Sequence, residues 1–288
     1  MYQFKNGIDL LNLCQTHNMS IAQVMEQREI ENGHPSPRGE MKRNLEVMKK
    51  AIDKGVQITE RSPSGLSGGD AKKVMDYIEN GQTLSGASVL KSVAAAMGVM
   101  EVNGTMGLIV AAPTAGSCGI LPGALIEKGL ELNKSDDELI DALFTAGAVG
   151  YIVTKNATVS GAEGGCQAET GTASAMAATA LVELFGGTPE QGLTAAAITL
   201  KNILGLVCDP IAGLVECPCT KRNAIGVANA LMSADISLAG VTSNIPFDEV
   251  VEAMYRVGKQ MSSDLRETAQ GGLAVTSTGR KLAQLALK

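Results

Sequence analysis

Cysteine is the residue of this sequence best suited to chemistry, and four of its six cysteines lie in three short segments. Cys166 occurs in SGAEGGCQAE (160–169), Cys208 in LGLVCDP (204–210), and Cys217 and Cys219 in GLVECPC (213–219). Each segment is typical of a loop or a helix end. An inorganic centre needs such places, because glycine lets the backbone approach it and turn amides can donate hydrogen bonds to sulfur. These thiols are therefore candidate metal ligands.

Spacing alone leaves two interpretations of the thiols open. The separations of Cys166, Cys208 and Cys219 match neither a zinc ribbon nor a ferredoxin motif. Free cysteines are also often buried as small apolar side chains, so packing is the alternative. A disulfide framework is not expected, because residues 1–13 lack the continuous apolar stretch of a secretory signal and indicate a cytoplasmic protein.

Basic and polar residues stand next to these cysteines. Lys155 follows a long apolar run ahead of Cys166, where it either extends into solvent or meets a carboxylate. Lys221 and Arg222 follow Cys219 at the start of a predicted helix. Cations there oppose the helix dipole, so we expect a specific anionic partner, such as a substrate carboxylate or a negatively charged iron–sulfur–thiolate cluster.

A third segment rich in glycine and proline, APTAGSCGILPG (112–123), supplies the hydroxyls of Thr114 and Ser117 together with backbone amides. A binding loop and a simple tight turn explain it equally well. The uncharged run 102–126 that contains this segment is interrupted by Pro113 and Pro122 and by several glycines. It is therefore predicted to be a buried, irregular segment and not a membrane span.

Several functional classes are disfavoured by what the sequence lacks. The net charge is −6 and no basic block with interleaved aromatics occurs, so nucleic acid is not an expected partner. The two histidines, His17 and His34, are too few for a histidine-rich zinc site. No phosphate-binding loop motif is present.

Composition predicts the fold class. Hydrophobic residues make up 45 % of the chain, but aromatics only 3 %, and tryptophan is absent. A core of alanine, glycine, leucine, valine and methionine suits closely packed helices. We predict an all-α protein with an N-terminal helical arm at 1–60, in which Ser20 caps a helix, and a single large helical catalytic domain at 61–288. The main predicted helices of that domain are 88–101, 118–130, 136–154, 168–185, 189–207, 222–239 and 247–261.

Five segments together closely resemble the α module of the iron–sulfur-dependent L-serine dehydratases, also called L-serine deaminases. They are SPSGLSGGDAKK (62–73), APTAGSCGILPGAL (112–125), KNATVSGAEGGCQAE (155–169), GLVCDPIAGLVECPCTKRNA (205–224) and RETAQGGLA (266–274). These segments follow one another over most of the chain, so the resemblance is not confined to one short motif.

The resemblance implies an all-helical catalytic module with a 4Fe-4S cluster held by three cysteines, which leaves one iron without a protein ligand. Carried onto this sequence, the ligands are Cys166, Cys208 and Cys219. Cys217 stands where the family usually has an apolar residue, and Cys118 where alanine is common. Cys118 and Cys14 are expected to serve packing.

The resemblance also implies a lyase that acts on L-serine. The open iron would act as a Lewis acid on the serine hydroxyl, and the products would be pyruvate and ammonia. Lys155, Asn156 and Ser160 are the expected substrate contacts in this chain. The family's β module is not present in this sequence, so a separate β subunit is expected to complete a hetero-oligomer and to supply the general base.

Two other functions are weighed against this one. A pyridoxal phosphate dehydratase would use Lys155 for its Schiff base, but such enzymes need a phosphate cup and usually an α/β frame, neither of which is evident. A non-catalytic helical scaffold would use its cysteines for structural zinc or leave them free. The metal content of the purified protein would separate the three.

Overall fold

The computed structural model describes residues 1–81 and 83–288, and over these the chain is mostly helical. The α-helices of the described residues are α1 (Gly7–His17), α2 (Ile21–Glu31), α3 (Pro37–Gly55), α4 (Asp70–Asn80), α5 (Ala87–Gly104), α6 (Ile120–Glu131), α7 (Asp136–Asn156), α8 (Gly161–Gly164), α9 (Thr172–Leu184), α10 (Pro189–Asn202), α11 (Cys219–Leu238), α12 (Phe247–Gln260) and α13 (Ser277–Ala286). An isolated bridge between Cys208 and Arg266 is the extent of β-structure in this part of the chain. The predicted all-α class is confirmed.

Helix α9 forms the centre of the protein. It packs against α6, α7, α10 and α11, and twelve of its thirteen residues are buried. Alanine, serine and threonine supply most of its side chains, which allows the neighbouring helices to approach closely on every side. The composition poor in aromatic residues is explained by this close packing.

Local sequence signals fix several helix starts. The hydroxyls of Ser20, Ser135 and Thr188 accept hydrogen bonds from backbone amides in the first turns of α2, α7 and α10. In each case a Glu or Gln at the third helical position bonds back to the cap residue, which completes a capping box. The predicted cap at Ser20 is confirmed.

The N-terminal helices share the core of the rest of the chain. Leu10, Ile21 and Leu45 belong to the same hydrophobic cluster as Leu181 of α9. Helix α2 packs on α7, and α3 packs on α5. The first 60 residues therefore contribute to the same core, while the boundary at residue 60 stays a prediction.

The largest differences from the predicted helices lie around the cysteines. The helix predicted at 189–207 ends at Asn202, and a turn with Gly205 at φ +85° leads to Cys208. The helix predicted at 168–185 begins with the π-helical turn Gln167–Gly171. Helix α11 starts earlier than predicted, at Cys219. Cys166 and Cys208 therefore lie on irregular backbone, whereas Cys219 begins a regular helix.

The uncharged run 102–126 is irregular, as predicted, but only partly buried. It contains the end of α5, a 3₁₀ turn (Ala115–Ser117) and the start of α6. Met106 and Leu108 are 87 % and 75 % exposed, which corrects the prediction that the segment is buried. Among residues 1–81 and 83–288, no helix combines the length and the apolarity that crossing a bilayer requires.

Two glycine substitutions are expected to change stability in opposite directions. A Cβ at Gly55 would lie 2.2 Å from the carbonyl carbon of Gly98, where α3 meets α5. Gly55→Ala therefore forces the helices apart and lowers the free energy of unfolding by about 1–3 kcal/mol.

At Gly147, inside α7, the nearest atom to an added Cβ is Cε of Met25 at 4.0 Å. Gly147→Ala raises that free energy by up to about 1 kcal/mol, because alanine favours helix. Urea denaturation measures both, and a change of the same sign would contradict the packing argument.

Candidate functional site

Three chain segments at helix ends meet at one place, and each carries a cysteine. Cys166 directly precedes the π-helical turn Gln167–Gly171, Cys208 lies in the loop after α10, and Cys219 is the first residue of α11. Burial raises the pKa of Cys208 and of Cys219, and the negative charge of neighbouring thiolates, Cys166 among them, raises it further. A deprotonated set of thiols at this place therefore requires positive charge nearby.

The three thiols are buried and free. Their residues are 4 %, 3 % and 8 % exposed in chain order, and none of the three forms a disulfide. Cys217, on the same loop as Cys219, is partly exposed. The Sγ atom of Cys118 packs against Sδ of Met100 at 3.5 Å, and burial raises the pKa of Cys118 to about 12. Cys14 is buried in α1. Burial is the main cause that raises its pKa to about 12, and the negative charges of two glutamates raise it further.

A segment from near the C terminus fixes Cys208. The Cys208 amide donates to the carbonyl of Leu265 at 2.8 Å, and its carbonyl accepts from the amide of Glu267 at 2.7 Å. These two bonds form the isolated bridge, so the residues at 266–274 help to build the site although they are far away in sequence.

Arg222 supplies the positive charge beside the thiols. Its guanidinium donates to the carbonyl of Val207 at 2.8 Å and to Oδ1 of Asp209 at 2.7 Å. Burial alone would lower the pKa of Arg222, but Cys166, Asp209 and Cys219 raise it above its usual value. In the described chain the anionic partner of Arg222 is the carboxylate of Asp209, which the sequence analysis does not name, while a substrate carboxylate or a cluster as partner stays a prediction.

The carboxylate of Asp209 binds two other segments of the site. Its Oδ2 accepts a hydrogen bond from the amide of Leu273 at 2.6 Å, while Oδ1 binds Arg222. Gly272 approaches so closely, at φ +56°, that a Cβ would lie 2.2 Å from Oδ2. One buried carboxylate thus joins the loop of Cys208, the start of α11 and the C-terminal segment.

The serine- and glycine-rich loop at 62–70 is held against the cysteine loop. The hydroxyl of Ser64 donates to Oε1 of Glu216 at 2.6 Å, and that of Ser67 donates to Oε2. Lys221 forms an ion pair with Asp70 at the end of this loop. The segments of the sequence resemblance are thereby brought into contact with one another.

Glu169 is a residue of the site that the sequence analysis does not identify. Its Oε1 accepts a hydrogen bond from the hydroxyl of Thr114 at 2.7 Å, and its Oε2 lies 3.9 Å from Sγ of Cys208. Burial raises the pKa of its carboxyl group, and Glu267 raises it further. A signal in the sequence could have identified Glu169: it is a carboxylate about one helical turn after Cys166, and the next charged residue is Glu183.

Comparison with known proteins identifies the family. The family model described as "Serine dehydratase alpha chain" matches residues 16–274. The chain belongs to the serine dehydratase alpha chain family. The resemblance stated from the five segments is therefore confirmed.

Relatives in this family are similar over nearly the whole length of the chain. "Probable L-serine dehydratase, alpha chain" of Bacillus subtilis is 52 % identical over 283 residues, which cover 97 % of this chain and 94 % of the relative. "L-serine dehydratase, alpha chain" of Peptoniphilus asaccharolyticus is 46 % identical and covers 97 % of each. "L-serine dehydratase 1" of Escherichia coli is 36 % identical over 95 % of this chain, but only 62 % of that protein is matched.

The donor set of the site consists of thiols, which are the usual ligands of iron–sulfur clusters. Within the described residues, no three side chains of His, Cys, Asp or Glu converge on a point that could hold one metal ion. Cysteine ligands of a cluster bind different irons and therefore surround the cluster without meeting at one atom. Three buried free thiols at helix ends, beside an arginine, are chemically suited to that role.

The expected substrate contacts lie in different surroundings. Lys155 is exposed in the last turn of α7. The side chain of Asn156 donates to the carbonyls of Lys5 and Ile152 at 2.7 and 2.8 Å. Ser160 precedes Gly161, which faces Glu169 and Cys208. The structure thus brings Ser160 next to the cysteine site, while the hydrogen bonds of Asn156 are made to the N-terminal arm and to its own helix; the three roles stay predictions.

Proposed function

We propose that this chain is the α chain of an L-serine dehydratase that holds a 4Fe-4S cluster and converts L-serine into pyruvate and ammonia. The observation that carries the proposal is the meeting of three buried free thiols, Cys166, Cys208 and Cys219, beside the guanidinium of Arg222. The substrate is taken from the names of the relatives in Bacillus subtilis and Peptoniphilus asaccharolyticus.

The three cysteines would hold the cluster, and the surrounding residues stabilise the cysteines as thiolates. A bound cluster with an open iron would supply a Lewis acid for the hydroxyl of serine. The charge of Arg222 offsets the negative charge of the thiolates, and the hydroxyl of Thr170, 3.1 Å from Sγ of Cys166, can donate a hydrogen bond to that sulfur. Asp209 holds Arg222 in place by an ion pair.

A second chain is part of the proposal. The words "alpha chain" in the names of two relatives imply that those enzymes have another chain. The Escherichia coli relative extends well beyond the region that this chain matches. Both facts support a separate β subunit that completes the active site and supplies the base that removes the Cα proton.

The two other functions have less support. Structural zinc needs ligands around one point, which the described residues do not provide. Lys155 is exposed, whereas a lysine that forms a Schiff base is activated by desolvation or by a neighbouring cation.

The test is chemical analysis of the protein purified without oxygen, together with any chain that copurifies. We expect about four irons and about four acid-labile sulfides per α chain, a broad brown absorption, and pyruvate formation from L-serine. A folded helical protein without iron would overturn the proposal and favour a scaffold. If both chains are present and the protein contains iron but does not convert L-serine, the proposed cluster would stand and the proposed substrate would be wrong.

A further inference from the structure

The carboxylate of Glu169 is placed by an irregular piece of backbone. It lies in the π-helical turn Gln167–Gly171, and it is the one residue of that turn that is not completely buried. Such turns are rare and occur frequently at functional sites. Its side chain therefore faces the cysteine site and remains accessible to a small molecule.

The two oxygens of this carboxylate are unequally satisfied. Oε1 accepts a hydrogen bond from the hydroxyl of Thr114 at 2.7 Å. Oε2 has the thiol of Cys208 at 3.9 Å, which is a long and weak contact.

Glu169 has no ion pair in the described part of the chain, and Glu267 is a neighbour of the same sign. Arg222 is the basic group that acts on it, but its guanidinium is already engaged by Asp209 and by the carbonyl of Val207. A hydrogen-bond donor at Oε2 would therefore satisfy the weakly paired side of this mostly buried carboxylate.

Backbone, not side chains, lines the approach to this oxygen. A Cβ at Gly161 would lie 2.6 Å from Oε2 of Glu169 and 3.0 Å from Sγ of Cys208. A Cβ at Gly116 would lie 3.1 Å from Oε1. Glycine at both positions keeps side chains away from the carboxylate, between two of the segments that define the family resemblance.

We infer that Glu169 binds the α-ammonium group of the amino-acid substrate, an inference that rests on the proposed function. An ammonium group brings one positive charge and three N–H donors, which is what Oε2 lacks. A charge-assisted hydrogen bond of this kind is stronger than one between neutral groups. Glu169 thereby selects an amino acid over a hydroxy acid of the same length.

The test compares Glu169→Gln with the wild type in the complete enzyme, without oxygen. We expect unchanged iron, sulfide and visible spectrum, a KM for L-serine raised about tenfold or more, and a much smaller change in kcat, because the lost interaction is made to the bound substrate. Glu169→Asp, which keeps the charge, is expected to restore part of the affinity. Glu163→Gln is the matched control, because Glu163 is exposed on the adjacent α8. The KM of this variant for L-serine is expected to equal that of the wild type.

The possible outcomes separate the inference from the proposed function. A wild type without cluster or without serine turnover refutes the proposed function and the inference with it. An active wild type, with a Glu169→Gln variant of unchanged KM, refutes the inference alone. Loss of iron in Glu169→Gln would also refute it, since Glu169 would then support the cluster and not the substrate.

Discussion

Alanine in place of Cys166, Cys208 or Cys219 is expected to remove the iron–sulfur cluster and all serine turnover, whereas Cys217→Ala is expected to keep both. Each of the three thiols is buried in the group that Arg222 faces. Loss of one leaves two protein ligands, too few to hold a cluster that already has one open iron. Iron and sulfide analysis, the visible spectrum and the pyruvate assay measure the result.

Cys217 is a demanding control because it lies two positions from Cys219 on the same loop. Its carbonyl accepts a hydrogen bond from the amide of Ile211 at 2.9 Å, a bond that Cys217→Ala preserves. Its side chain is partly exposed. Far-ultraviolet circular dichroism shows whether every variant stays helical. Full cluster content in Cys219→Ala, together with its loss in Cys217→Ala, would contradict the ligand assignment.

The regular part of the fold follows from local signals in the sequence. Helices α7 and α12 begin at the predicted residues, because Ser135 provides a capping box and Pro246 precedes the start of α12. Small apolar residues also predict that α9 is enclosed on all sides. By contrast, the amphipathic helix α13 is missing from the predicted set, since it is short and contacts mainly turns.

The site is less predictable because contacts between distant segments determine it. Glycine and proline beside Cys166, Cys208 and Cys219 indicate irregular backbone, but not that the three loops meet. The bridge between Cys208 and Arg266 and the bond from Leu273 to Asp209 join residues far apart in the chain. The π-helical turn that positions Glu169 has no local sequence signal, because its residues are compatible with an ordinary helix. Only the folded chain shows these relations.

Asp209→Asn is expected to lower the free energy of unfolding by about 3–5 kcal/mol, the range found when one partner of a buried ion pair is removed. The side chains of Asp209 and Arg222 are 3 % and 12 % exposed, so water cannot replace the lost charge. Asparagine has nearly the same shape and keeps an oxygen for the amide of Leu273. Urea denaturation at equal iron content measures the change.

Two further variants show whether charge is the cause. Asp70→Asn removes the partner of Lys221, whose side chain is 59 % exposed, and is expected to change stability by no more than about 1 kcal/mol. Asp209→Asn combined with Arg222→Met removes both charges and is expected to recover a large part of the loss, since no unpaired buried charge is left. If the double variant were as unstable as Asp209→Asn alone, the loss would not come from an unpaired buried charge, and the argument from the ion pair would be wrong. Loss of the cluster in the double variant but not in Asp209→Asn would show that the guanidinium also acts on the thiolates, because Arg222→Met leaves Cys166 without its cation.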